Sequence, residues 1–161
     1  MNLFQDAAQA TLRVECGSSR GSGFHFIRPN VVVTNNHVVE GITAPATAVT
    51  EDGVELPLRL LVNSPTDQRD YAVFEAMGVI PPGRNALQPK PLSPIGRGLE
   101  VIFSGFPHGI PHLLVQRAVV AGLVSDTAFY LDGSVNGGNS GGPIIERLPG
   151  SPLKVSDSRP S

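Results

Sequence analysis

The 161-residue chain has no tryptophan, one cysteine and few charges, with Asp, Glu, Lys and Arg making 16% of its residues against roughly 25% in an average soluble domain. A lone cysteine closes no internal bridge, so a disulfide framework is excluded and Cys16, flanked by a strand pattern, is expected to be a buried, inert thiol. That usage suits a reducing compartment, and MNLFQDAAQATLRVECG at the amino terminus carries neither the positive nor the apolar region of a secretory leader, so a cytoplasmic location is expected. Twelve Lys and Arg against fourteen Asp and Glu give a net charge of −2. The basic footprint of a nucleic-acid binder is missing, and so is a basic membrane-surface patch. The longest apolar run, Ala118–Val124, has seven residues including its glycine, far below the ~20 of a membrane-spanning helix. Neither nucleic acid nor membrane is expected as a partner.

What the chain has in excess is glycine (18) and proline (15), where average usage would give about 11 and about 8. Short apolar runs between turn residues dominate: Thr11–Cys16, Gly23–Ile27, Asn30–Thr34, Ala46–Thr50, Val54–Leu61, Asp70–Glu75, Leu99–Ser104, Leu113–Ala121, Ala128–Leu131 and Pro143–Ile145. Closely spaced and rich in Val, Ile and Leu, they predict an all-β domain, an antiparallel sandwich or barrel. Helix is expected only at Leu3–Ala10 and around Asn36–Glu40. The length suits one domain. Between Val79 and Pro94, prolines at 81, 82, 89, 91 and 94 interrupt the strand pattern and read as a connection between two halves. After Glu146, RLPGSPLKVSDSRPS is rich in Pro and Ser and reads as poorly ordered.

Three segments carry chemistry. In GSVNGGNSGGP, Gly133–Pro143, glycines surround Ser140; such a loop lets backbone N–H groups converge on one oxygen, the requirement of an oxyanion hole. Gly138–Gly142 also fits G-x-S-x-G, but that hydrolase class has its acid and histidine after the serine, and no histidine follows Ser140. In NVVVTNNHVVE, His37 stands at the end of an apolar strand, where an imidazole can enter a cleft and serve as general base. In QRDYAVFE, Asp70 opens a strand on the face of Ala72 and Phe74, a half-buried acid in need of a partner. His108 and His112 are four apart, but Pro107 and Pro111 preclude the helix that would align them. No metal and no cofactor is expected, and GSSRGSG at Gly17–Gly23 lacks the lysine of a phosphate loop.

The order His37, Asp70, Ser140 is that of the chymotrypsin-type triad. TNNHVV, RDYAVF, GFPHG followed by VVAGLVSD, DGSVNGGNSGGP and the GSGF at Gly21–Phe24 together resemble the trypsin-like serine peptidases of the disulfide-free HtrA type, over about Thr11 to Ile145. The resemblance implies a double β-barrel with the cleft between barrels. It divides the chain into a first barrel at about 11–79, a connection at 80–98, a partial second barrel at 99–155 and a disordered tail at 156–161. It implies a serine endopeptidase acting on proteins or peptides, with His37, Asp70 and Ser140 catalytic and the amides of Gly138 and Ser140 forming the oxyanion hole. Ser134, six residues before the nucleophile, would stand near the base of the substrate pocket and favour an uncharged, modest side chain there.

The family pattern stops early. After Leu153–Val155 the sequence turns polar, and roughly 30–40 residues expected of such a domain are missing. The second barrel is therefore expected to be incomplete, with open strand edges where a partner or a second copy can pair. No PDZ-like segment is expected to follow. A catalytically inactive fold that binds a peptide or protein along an open edge is the alternative reading.

Overall fold

In the computed structural model, residues 2–89, 96–108, 110–125, 128–132, 139–146, 154–155 and 159–160 are described. The period-two pattern of the first strand, β1 (Thr11–Cys16), buries Leu12, Val14 and Cys16 and leaves Arg13 and Glu15 partly exposed. β2 (Ser19–Phe26), β3 (Arg28–Thr34), β4 (Ala46–Val49), β5 (Glu55–Ser64) and β6 (Tyr71–Ala76) complete a closed barrel in the order β1-β2-β3-β6-β5-β4. Every neighbouring pair is antiparallel. Leu12, Val32, Ala48, Leu56, Ala72 and Phe74 fill its interior. β6 begins at Tyr71, with Ala72 and Phe74 pointing inward, so Asp70 immediately precedes the strand instead of opening it as expected.

The second half is a sheet rather than a closed barrel among the described residues, with β7 (Gln88–Pro89), β8 (Glu100–Gly105), β9 (Leu114–Ser125), β10 (Ala128–Asp132), β11 (Ile144–Glu146), β12 (Lys154–Val155) and β13 (Arg159–Pro160) in the order β13-β10-β9-β8-β11-β12-β7. This matches the expected incomplete second barrel. All ten strand runs read from the sequence fall on strands, with ends shifted by a few residues. β7, β12 and β13 have two residues each and pair in parallel at β7–β12 and β10–β13; β12 falls on Leu153–Val155, which the sequence reads as the beginning of a further strand, whereas β7 and β13 are not among the strands it announces. β13 lies inside the stretch that the sequence assigns to a disordered tail.

The expected helix α1 (Leu3–Ala10) is present, its first turn capped by Asn2, whose side chain accepts from the Gln5 amide at 2.8 Å. Eight residues are too few for an independent helix. Its stability comes from Ala7 and Ala10, both fully buried against Phe24 of β2, Leu87, Ile102 of β8 and Ile145 of β11. This cluster joins the two halves. The connecting segment is laced to the first barrel as well: the Leu87 amide donates to the His25 carbonyl at 2.9 Å, the Ile27 amide to the Leu87 carbonyl at 2.8 Å, and Arg84 Nη2 to the Thr11 carbonyl at 2.7 Å.

Candidate active site

β3 ends at Thr34, and the chain turns through the single 3₁₀ turn Asn36–Val38, shorter than the helix expected around Asn36–Glu40. Val38 and Asn36 are buried, which points the intervening His37 outward with 42% of its side chain exposed. Thirty-three residues later, Asp70 meets it twice. The His37 main-chain N–H donates to Asp70 Oδ1 at 2.8 Å, and His37 Nδ1 lies 2.7 Å from Asp70 Oδ2. A carboxylate accepting at Nδ1 fixes the tautomer with its proton there, so Nε2 is the free basic nitrogen. The acid is 8% exposed, more deeply buried than the half-buried group expected.

Ser140 arrives from the other half of the molecule. Its carbonyl accepts from the Ser22 amide of β2 at 2.7 Å, and it precedes Gly141, whose φ is +90°. A Cβ on Gly141 would collide with the Ser22 carbonyl and the Thr34 hydroxyl, so only glycine permits this approach. A Cβ on Gly21 would stand 2.6 Å from Val38 Cγ2 and 2.9 Å from the Ser140 carbonyl. The serine segment and the turn carrying His37 thus flank the same glycine. The Ser140 hydroxyl itself makes no hydrogen bond to His37 among the described residues. Gly138 and Ser134 lie outside the described residues.

The seat of the serine segment includes residues that the sequence singled out only within longer motifs. Ser22, fully buried, accepts from the Phe106 amide through its hydroxyl at 2.9 Å, and its carbonyl accepts from Thr34 Oγ1 at 2.7 Å. Asn139, 8% exposed, has neither amide atom hydrogen-bonded among the described residues. Asn35 and Asn36, beside His37, both reach the loop that delivers Asp70. The available signal was two consecutive polar residues at the end of an apolar strand, where solvent exposure alone gives no reason for asparagine.

His25, by contrast, is a fully buried histidine away from this cluster. Burial first, and the charge of Arg84 second, push its pKa down to about 4 against a weaker opposing effect of the Pro29 carbonyl. Burial raises the Cys16 thiol, which donates to the Ala44 carbonyl at 3.2 Å, in keeping with the inert role expected of it. Among the described residues no group of three or more His, Cys, Asp or Glu side chains is arranged to hold a metal ion.

With this geometry in hand, similarity to known proteins is informative. A protein named "Probable periplasmic serine endoprotease DegP-like" from Bartonella henselae is 31% identical over 142 residues, covering 78% of this chain and 25% of that protein. The chain thus spans about a quarter of the length of such relatives. The crystal structure of the serine endoprotease from Yersinia pestis superimposes with a TM-score of 0.70 at 21% identity, over 91% of this chain and 54% of that one. The inactive form of the Rv3671c protease of M. tuberculosis does so with a TM-score of 0.72 at 21% identity, over 87% of this chain and 73% of that one. At that identity the two structures speak for the fold. The model of the trypsin-like peptidase domain matches residues 21–149, a stretch that contains the His37–Asp70 pair and Ser140, and the chain belongs to that family.

Proposed function

We propose that the chain is a serine endopeptidase. The observation that carries this reading is the doubly hydrogen-bonded His37–Asp70 pair, with the Ser140 segment seated on Gly21 beside it. Ser140 Oγ attacks the scissile carbonyl while His37 Nε2 takes its proton. The tetrahedral oxyanion is held by the amides of Gly138 and Ser140. His37 then gives the proton to the leaving amine, which departs as the C–N bond breaks and leaves an acyl-enzyme, and water attacks the acyl group through the same base. Asp70 holds the ring and stabilises the imidazolium. Ser134 lining the pocket would favour a small uncharged side chain in the substrate.

The second reading, an inactive peptide- or protein-binding module, draws on the second sheet, which is not closed among the described residues and whose end strands would accept an added strand. One comparison separates the two. A fluorophosphonate probe is expected to label the wild type at Ser140 and to leave Ser140→Ala unlabelled; folded wild type that does not react would overturn the peptidase reading. Peptide binding equal in both proteins, with no cleavage by either, would establish the module. For the compartment we retain the cytoplasm as the working assignment, and cell fractionation against periplasmic markers tests it.

A further inference from the structure

Three consecutive residues, Asn35, Asn36 and His37, reach forward to one loop. Asn35 Nδ2 donates to the Asp70 carbonyl at 2.8 Å. Asn36, 3% exposed, accepts from Asn63 Nδ2 at 2.9 Å and donates to Thr66 Oγ1 at 3.3 Å, and Thr66 in turn donates to Glu40 Oε2. His37 takes the Asp70 carboxylate. At the far end, the Asp70 amide donates to the Pro65 carbonyl at 3.1 Å. The loop from 63 to 70 is therefore held at both ends by the residues preceding the histidine.

What needs holding is the backbone of Asp70. Its φ is +54°, a left-handed conformation that costs a residue with a Cβ, though an aspartate less than most. Such a conformation persists only where surrounding bonds over-determine it. If the Asp70 peptide relaxed to the extended region, its carbonyl and its carboxylate would swing together, and the two bonds to His37 could not both survive. The bond from Asn35 fixes the orientation of that carbonyl. Asn35 is only partly buried, so removing its amide opens no core cavity.

We propose that Asn35 is a positioning residue. By binding the Asp70 carbonyl it locks this aspartate in the left-handed conformation and aims its carboxylate at His37, while Asn36 anchors the rest of the loop. The kinetic consequence rests on the serine-peptidase reading; the geometric one does not.

The test is a double-mutant cycle of Asn35→Ala with Asp70→Asn, read in two ways: solvent exchange of the His37 Nδ1 proton by NMR on ¹⁵N-labelled protein, and the rate of fluorophosphonate labelling. Asn35→Ala should speed the exchange and slow the labelling by ~5-fold each, the weight of one hydrogen bond. In the Asp70→Asn background it should change the labelling rate no further, because the two residues act as a unit. Asn35→Asp keeps the shape, lacks the donor and is read in the same way should the alanine variant fold poorly. An unchanged His37 proton in the single variants, or labelling losses that add in full, would overturn the proposal. If the wild type fails to label while Asn35→Ala still speeds the exchange, the peptidase reading falls and the positioning role stands.

Discussion

The Ser22 amide donates to the Ser140 carbonyl across 2.7 Å, so a fully buried residue of the first barrel holds the Ser140 segment of the second half. Ser22 belongs to a polar seam at the junction. Thr11, Thr34 and Ser104 are each 2% exposed or less, Thr34 bonds Ser22, and the hydroxyls of Thr11 and Ser104 bond each other. An apolar cluster around α1 brings the halves together. The hydroxyl seam decides their register, because a slip would leave these buried polar groups without partners.

Ser22→Ala and Gly141→Ala therefore differ in kind. The serine variant leaves the Phe106 amide without the acceptor it has at 2.9 Å, which costs ~1–3 kcal/mol. The glycine variant puts a Cβ at φ +90° against the Ser22 carbonyl and the Thr34 hydroxyl, so the serine segment must leave its seat. In urea unfolding, Ser22→Ala is expected to lower stability by the stated amount. Gly141→Ala is expected to abolish fluorophosphonate labelling even where the barrel remains folded. Labelling of Gly141→Ala at the wild-type rate would contradict the seat described here.

Under the proposed peptidase reading, the catalytic and conformational roles of Asp70 are separable. Asp70→Asn keeps the shape and is expected to slow turnover by ~10⁴-fold, the size found when a trypsin-type acid is disabled. Asp70→Gly and Asp70→Ala both lack the acid, yet at φ +54° alanine pays the left-handed penalty and glycine does not, a difference of ~1 kcal/mol before unfolded-state entropy is counted. Both should be inactive, with the glycine variant at least as stable as the alanine variant by thermal melting. Alanine the more stable of the two would show that Asp70 leaves this conformation once its carboxylate is gone.

Most of the fold was legible because its strands obey a period of two. Leu12, Val14 and Cys16 alternate with Arg13 and Glu15, and Ala72 and Phe74 with Tyr71 and Val73. His37 and Asp70 were legible because their motifs stand beside strong strands. The left-handed backbone of Asp70 was not, since aspartate at the start of a strand carries no mark of its φ. Nor were the reaches from Asn35 to Asp70 and from Asn36 to Asn63, or the hold of Ser22 on Phe106. Those bonds join residues 27 to 84 positions apart; barrel closure brings the asparagines to their partners, and the docking of the two halves brings Ser22 to Phe106.

β5 offers a test of which of its residues the core uses. Leu56 is 2% exposed inside the barrel, whereas Leu60, Leu61 and Val62 each keep 50% of their surface exposed, near the bulge where the register with β6 shifts. Leu56→Ala is expected to cost ~2–5 kcal/mol. Leu61→Ala is expected to stay within ~1 kcal/mol, in line with a half-exposed side chain. Urea unfolding of the two variants checks the contrast, and a Leu61→Ala loss as large as that of Leu56→Ala would mean that something covers this stretch in solution.

His25 should make the fold sensitive to mild acid. Its Nδ1 lies 2.6 Å from the Pro29 carbonyl and its Nε2 accepts from Arg84 Nε at 3.1 Å, which uses both nitrogens of a neutral ring. Protonation would remove the acceptor and set a cation against Arg84, whose own charge is faced by Asp52 and Glu51. The folded pKa of about 4 lies below the unfolded value of 6.5, so between them the unfolded chain binds the extra proton. The stability tied to the neutral ring is complete above pH 6.5, falls as the pH drops toward 4 and changes no further below that. By linkage the loss by pH 4.5 is ~2–3 kcal/mol. Carboxylates also begin to titrate there, so the measurement is a difference: urea unfolding at pH 7.5 and pH 4.5 for the wild type and for His25→Gln. The variant is expected to start less stable at pH 7.5 and to lose ~2–3 kcal/mol less on acidification. Equal losses in the two proteins would show that His25 takes its proton without strain, and that the Arg84 contact to β2 does not depend on a neutral ring.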